Sequence, residues 1–529
     1  MWWESLTRYY GGPRAHATRC ITDDLSYLWV LVPPISFISA EIFRVINVPL
    51  FFSTFHHPSQ REHVQPSLVF SMLALSTLVR SGDIIGLGET GRLRALELRD
   101  LAQSYLDTSL NSGWITPGLA QAALLLAIFE RSCHPAHSES RARSALFLLD
   151  SLILGLGLLD LDEEEYNVTT FSPNSVPSLV GPLSDHIGQA AISPGVTKRG
   201  CSCSHFQLSN TSPSSKKITP FWLACPGWSE EWGVIETRRE EQRRLIWNTL
   251  TVASGHLSHY DSVRRTSRNL GITKPWNFKV FFPGEGLFGT PQMQDGLAAK
   301  HSIWALYSRS YLLYTGCFSV HHDESISEYD KGQFAVQAWL ECERIEKMLN
   351  THTCDIESAS LYFGRQILFE YARYNSSTSR LITNDSPLRS TKNLVSSQYS
   401  RYVPHPNVGD PRFHRDKAMS WLSHRTHVVQ QFVALSHGAG LKNTLGTRPI
   451  LTLWFHDQLA RYLNIWGQDP TLHIALDLCL QLLPLAEYLI ALFPSDYPRQ
   501  RYEALHQRLV DACILSGIPP PSPPRYIIV

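Results

Sequence analysis

Apolar residues recur at helical spacing along almost the whole of this chain, and the strict alternation expected of strands is nearly absent. That patterning restricts the fold class to all-α, a large helical domain of packed antiparallel helices. The densest helical signal is Glu240-Glu241-Gln242-Arg243-Arg244-Leu245-Ile246-Trp247. Glu240 stands four residues before Arg244, the better order of acid and base on a helix surface. Leu245, Trp247 and Leu250, with Val252 beyond, can face a core from the same element. Taken alone, the run reads as a charged amphipathic helix whose charges are a structural signature, worth ~0.2–0.5 kcal/mol per exposed pair.

The periodicity predicts a succession of helices. Leu68, Phe70, Met72, Leu73, Leu75, Leu78 and Val79 form a strongly apolar one, ended by Ser81-Gly82. A second carries Leu93, Leu96, Leu98, Leu101 and Leu106. A third opens on Thr116 as N-cap with Pro117 at the first helical position, and its Ala-rich face suits close helix–helix approach. A fourth, from about 140 to 158, is apolar nearly all round and should be central. Further helices are expected at about 236–258, 293–319, 325–350, 355–377, 411–438, 450–466, 470–493 and 498–517. The organisation predicted is one large domain with two polar insertions. Residues 1–57 form an irregular N-terminal segment, 58–166 the first helical part, and 167–220 a disordered Ser/Pro-rich loop. Residues 221–517 form the second helical part, interrupted by a polar loop at 375–409, and 518–529 are a tail.

Composition narrows the function classes. With 43% hydrophobic and 18% charged residues the chain can bury a large core. Equal numbers of Lys+Arg and Asp+Glu, 47 each, argue against a chain built mainly to neutralise nucleic-acid phosphates. Ten scattered cysteines in 529 residues are too sparse for a disulfide scaffold, and buried thiols in a reducing, intracellular compartment are expected. No charged-then-apolar leader opens the chain, so secretion is not indicated. The greasiest stretch, 27–52, is broken by Pro33, Pro34, Glu41, Arg44 and Pro49; it reads as core or core cover, and no membrane association is expected.

Chemistry-bearing motifs are weak. Gly86-Leu87-Gly88-Glu89-Thr90-Gly91 matches a dinucleotide fingerprint in letters, but it lacks the preceding strand and reads as an interhelical loop. Cys201, Cys203 and His205 are three soft metal donors at tight spacing, without the paired C-x₂₋₄-C pattern and fourth ligand of structural zinc, so no metal site is assigned. The acidic run Asp160-Leu161-Asp162-Glu163-Glu164-Glu165 reads as a solvated helix exit. An all-α magnesium enzyme is the competing reading, and it needs Asp160, Asp162 and Glu163 to converge on a cavity. No H-E-x-x-H or G-x-S-x-G occurs. No catalytic residue is assigned, and the chain is expected not to be an enzyme.

The 240–247 run resembles the signature helix in the regulatory region, or middle homology domain, of fungal zinc-cluster transcription factors. Further segments extend the likeness in order: LALSTLVRS at 73–81, LRDLAQSYL at 98–106, LAQAALLLAIFE at 119–130, and the helix from 141 that closes with LDLD at 159–162. KPWNF at 274–278 and FPGE at 282–285 are like a loop of a basidiomycete-type branch. IWALYSR at 303–309, LNTHTC at 349–354 and FHRDKAMSWL at 413–422 continue it, so that the resemblance spans about residues 60–440. It implies transcription regulation in the nucleus, with Glu240, Glu241, Arg243, Arg244 and Trp247 as its structural signature. Family members carry an N-terminal binuclear zinc cluster of six cysteines. This chain has no C-x-x-C, and only Cys20 lies in its first hundred residues. The family's zinc cofactor and base-reading residues therefore do not carry over: no cofactor and no direct DNA binding are expected. The partners implied are a small-molecule effector and a homo- or heterodimer with related factors. A helical scaffold that dampens an intact factor is the alternative.

Overall fold

A computed structural model describes residues 2–30, 45–82, 88–179, 226–262, 270–288, 299–349 and 448–524, with 201, 203, 351, 352 and scattered positions between 418 and 446. Helix accounts for 74% of the described residues, and there is no strand among them. The expected single domain divides into two compact units, each discontinuous in sequence. Unit 1 comprises Met1–Leu156, Gly255–Arg268 and Ser400–Val529, and unit 2 comprises Gly157–Ser254 and Asn269–Tyr399.

Unit 1 begins with α1 (Trp2–Tyr10), α2 (Arg14–Val30) and α3 (Val48–His56), so the N-terminal segment expected to be irregular is substantially helical. Its apolar residues explain this: Trp3, Leu6, Ala17, Ile21, Leu25 and Leu28 are all buried, at spacings of three, four and seven within each helix. After the single turn α4 (Pro58–Arg61) comes α5 (Pro66–Arg80), in which every residue from Pro66 to Val79 is buried. It packs against α2, α6 (Gly88–Asn111) and α7 (Pro117–Arg131), followed by α8 (Glu139–Gly155). Helix α6 buries a narrow seam of Ala95, Leu98, Ala102, Leu106 and Ser109. Small residues at Ala120, Ala122, Ala123 and Ala127 line α7.

The joints of this bundle are polar. Gln65 donates to the Trp114 carbonyl (2.9 Å) and to Thr116 Oγ1 (3.0 Å) while accepting from Ser109 Oγ (3.0 Å), which ties the start of α5 to the end of α6 and the start of α7. Thr116 is the N-cap ahead of Pro117. Buried Arg99 on α6 pairs with buried Glu130 on α7 at 2.5 Å. The glycine-rich 86–91 motif is not simply an interhelical loop: Gly88 begins α6 and Gly91 is buried within its first turn, while 83–87 lie outside the described residues.

The same unit ends in α12 (Leu451–Gln468), α13 (His473–Leu492) and α14 (Asp496–Leu515), numbered after the three helices below. Helix α13 is long and apolar enough to cross a membrane, yet it packs against α12 and α14, and ten of its residues, Leu476, Leu482 and Leu489 among them, are buried.

Unit 2 holds α9 (Val234–Ser262) as far as Ser254, then α10 (Ile303–His322) and α11 (Glu328–Leu349), with short 3₁₀ turns at Leu158–Asp160, Gly271–Thr273, Pro275–Asn277 and Glu285–Phe288. Helix α10 is capped by Ser302, which accepts from Ala305 N at 3.2 Å; residues 299–300 just before it are also helical, and 289–298 lie outside the described residues. It forms a hairpin with α11, and the two share an apolar cluster that includes Leu306, Leu313, Phe334, Ala338 and Ile345. The helix expected at 355–377 and the polar loop at 375–409 lie outside the described residues. So do most of the 411–438 helix and most of the 167–220 loop.

Two leucines assigned to the same kind of apolar face separate sharply: Leu73 is fully buried, whereas Leu93 is 51% exposed. Leu73→Ala is expected to lower unfolding free energy by ~2–5 kcal/mol through a core cavity. Leu93→Ala stays within about 0.5 kcal/mol. Paired urea denaturation of the two variants checks this, and equal losses would show that α6 does not present the seam described.

Candidate functional site

Helix α9 leaves solvent abruptly. Val234 and Ile235 are exposed, whereas Glu240, Glu241, Arg243 and Arg244 are each 2% exposed or less. The charged run is therefore not a surface lattice. Arg243 forks onto Asp162, with Nε to Oδ2 at 2.9 Å and Nη2 to Oδ1 at 2.8 Å. Its Nη1 reaches Glu236 at 2.7 Å and Glu240 at 3.5 Å. Burial alone disfavours the Arg243 charge, but Asp162, Glu240 and Glu236 outweigh it and hold the guanidinium above its ordinary pKa. Arg244 donates to Glu240 Oε1 (2.8 Å) and the Gly227 carbonyl (2.6 Å), and lies 3.8 Å from the Trp228 ring centroid. Glu241 pairs with Arg238 at 2.7 Å.

This placement corrects the reading of the acidic run. Asp160 and Glu163 are exposed and both pair with Lys279, but Asp162 is fully buried. Asp162 also accepts from Phe281 N at 2.9 Å, and its own N–H donates to the Lys279 carbonyl at 3.0 Å. The three carboxylates do not converge on a cavity as a magnesium site requires.

Trp247, one turn beyond Arg243, sits between Phe278 and Phe282, with ring centroids 5.2 and 5.1 Å away, and donates Nε1–H to the Phe281 carbonyl at 2.8 Å. The loop carrying those rings turns at Gly284, whose φ is +75° and whose missing Cβ would stand 2.6 Å from Pro226 Cβ. Gly284 N donates to Glu240 Oε1 at 3.2 Å, closing the lattice. Sequences 159–162, 240–247 and 278–285 thus form one assembly of ions and rings.

Glu285 extends it. Its Oε2 accepts from Phe282 N at 2.8 Å, and burial pushes its pKa up to about 7. Its Oε1 lies 4.0 Å from Lys300 Nζ, which also donates to the Asn167 carbonyl. Burial lowers the Lys300 pKa, opposed by Glu285. Lys300 lines a cleft of about 560 Å³ with Thr169, Phe171, Ser175, Val176 and Gln337. That volume is within the range of small-molecule sites, and the lining combines apolar walls with a few polar groups. Among the described residues, buried Thr169 Oγ1 has no hydrogen-bond partner.

A second cluster lies elsewhere in unit 2. Cys201, Cys203 and His352 bring Sγ, Sγ and an imidazole nitrogen within 4.8 Å of one another. His205, the third donor of the sequence motif, lies outside the described residues. Unit 1 has its own polar knot. Burial opposes charge on His259, but Asp457 at 3.1 Å and Glu139 at 3.3 Å hold its pKa above the usual value. Arg501 donates to Asp457 at 2.6 Å.

Of the sequence signature, Glu240, Arg243, Arg244 and Trp247 come together, while Glu241 faces Arg238. Sequence reasoning missed Asp162, Glu285, Lys300 and His352 as partners. All but Lys300 lay inside quoted segments, but the pairings are distant in sequence: His352 is 149 residues from Cys203, beyond any local pattern. Comparison with protein-family models, curated proteins and solved structures finds no match for this chain.

Trp247→Ala is expected to cost ~3–5 kcal/mol as a buried aromatic, and Asp162→Asn ~3–5 kcal/mol because Arg243 stays buried without its counter-charge. Unchanged denaturation midpoints would refute the burial of each. Glu285 supplies a pH signature. Its folded pKa lies above the unfolded value, so the folded state binds more protons between about pH 4.3 and 7, and stability falls as pH rises through that window. Glu285→Gln should remove that part of the slope in melting temperature against pH; an identical slope in the variant would contradict the raised pKa.

Proposed function

We propose that this chain is the regulatory domain of a gene-control protein of the fungal zinc-cluster type, working in the nucleus by binding and not by catalysis. One observation carries the reading. The closing LDLD at 159–162, the signature run at 240–247 and the FPGE loop at 282–285, all quoted for the resemblance, meet in a single buried lattice. A set of segments picked out by likeness to one family and then found in mutual contact supports a shared structural purpose.

The effector is a small molecule that enters the 560 Å³ cleft with an apolar portion toward Phe171 and Val176 and an anionic or carbonyl group toward Lys300. Lys300 then has less to give Glu285, and Glu285 touches the loop that stacks on Trp247. A ligand favouring one arrangement of that loop shifts the population of the domain toward it. Promoter contact falls to a DNA-binding partner, a related factor in a homo- or heterodimer, since this chain contains no binuclear-cluster cysteine pattern.

The test is to fuse the chain to a heterologous DNA-binding module and read a reporter carrying its site. The fusion should raise or lower output relative to the module alone, and Lys300→Met should alter that effect while leaving circular dichroism unchanged. A folded, expressed fusion with no influence on the reporter would sink the regulatory reading. In gel shift the isolated chain should show no tight sequence-specific DNA binding.

A further inference from the structure

We propose that Cys201, Cys203 and His352 form a binding site for a zinc-class divalent metal ion, a site that departs from the sequence expectation of none. Each ligand atom is presented by its surroundings. His352 follows the C-terminal end of α11, its backbone N–H closing a turn onto the Leu349 carbonyl at 3.2 Å. Its Nε2–H donates to the His301 carbonyl at 2.9 Å. That bond fixes the tautomer and leaves the Nδ1 lone pair to the sulfurs, the arrangement by which outer contacts orient metal-binding imidazoles. Nδ1 lies 3.7 Å from Cys203 Sγ. Zinc–sulfur and zinc–nitrogen bonds of about 2.3 and 2.0–2.1 Å at a tetrahedral angle place those two atoms about 3.6 Å apart. The pair therefore already spans one edge of the coordination polyhedron.

Cys203 is 2% exposed and sits among Ile303, Trp304 and Leu349. Its sulfur accepts from Ile303 N at 3.5 Å, in the first turn of the twenty-residue helix α10. Cys201 is only half-buried, so the site has one side toward solvent. Two thiolates and an imidazole select soft or borderline ions such as Zn²⁺ over Mg²⁺ or Ca²⁺. Three protein ligands leave one tetrahedral position for water or an exogenous donor. Binding displaces the thiol protons, joins the 201–203 segment to the ends of α10 and α11, and strengthens with rising pH.

The experiment uses the full chain, stripped with chelator under reducing conditions and titrated with Co²⁺ alone. One equivalent should bind, giving a near-ultraviolet thiolate-to-cobalt charge-transfer band and the visible bands of tetrahedral cobalt, both displaced by Zn²⁺. The charge-transfer band should weaken in Cys203→Ser and vanish in Cys201→Ser/Cys203→Ser, while Cys20→Ser, altering a thiol far away in sequence, leaves it intact. His352→Gln should keep sulfur charge transfer but weaken affinity about tenfold or more, since even outer-shell losses reach that size. Absence of the band in the wild-type chain overturns the proposal whatever the variants do. A band undiminished in the double cysteine variant, with helicity preserved, overturns it as well.

Discussion

Asp162 and Arg243 are both removed from water, and neither can be there without the other. A carboxylate or guanidinium taken out of solvent loses hydration worth several kcal/mol, and only a well-formed partner returns it. The two parallel N–H···O bonds between them, and the third bond that Asp162 takes from Phe281 N, meet that requirement. Everything near α9 in unit 2 follows from this. The end of the 158–160 turn, the first half of α9 and the loop at 278–285 must arrive in one geometry or leave ions stranded. Such a network adds little net stability over a well-packed apolar one, but it penalises alternative packings severely.

The lattice also gives the cleft a physical connection to the helix. Lys300 belongs to the cleft wall, and its neighbour Glu285 belongs to the lattice loop. A carboxyl with a pKa near 7 changes charge for a small change in surroundings, so a ligand that competes for Lys300 need supply only modest differential energy to change the protonation of Glu285. Arg243 and Asp162 act on Glu285 in opposite directions, so that proton feels both α9 and the turn before residue 162.

Helix content was legible because amphipathic spacing is a local property. The α5 run, the Ala-rich α7 and the Thr116–Pro117 start could all be located from neighbouring residues alone. The 240–247 run lies on a helix, as its spacing predicts, but its charges look like those of a surface helix until the facing acid is known, and that acid lies 81 residues earlier. Asp162 was misread for the same reason: Asp160, Glu163 and Glu164 around it do face solvent, and one buried member of an acidic run has no local mark. Helicity within residues 1–57 is less legible, because Gly11-Gly12-Pro13 separates α1 from α2 and α1 is only nine residues long. Cys201 and Cys203 were noticed as donors, yet their match to His352 depends on where α11 ends, which spacing in the chain cannot express.

Unit 1 is assembled from three stretches of sequence, with all of unit 2 encoded between them. A ribosome therefore delivers α5 to α8 some three hundred residues before α12 to α14, although Glu139 of α8 is a partner of Tyr497 on α14 and Arg92 of α6 donates to the Leu492 carbonyl at the end of α13. During synthesis at about 5–20 residues per second, the nascent first third waits tens of seconds for contacts that complete it. Unit 2 has all its residues by 399 and can close first. The surface of the first third that those later helices cover stays exposed to solvent meanwhile.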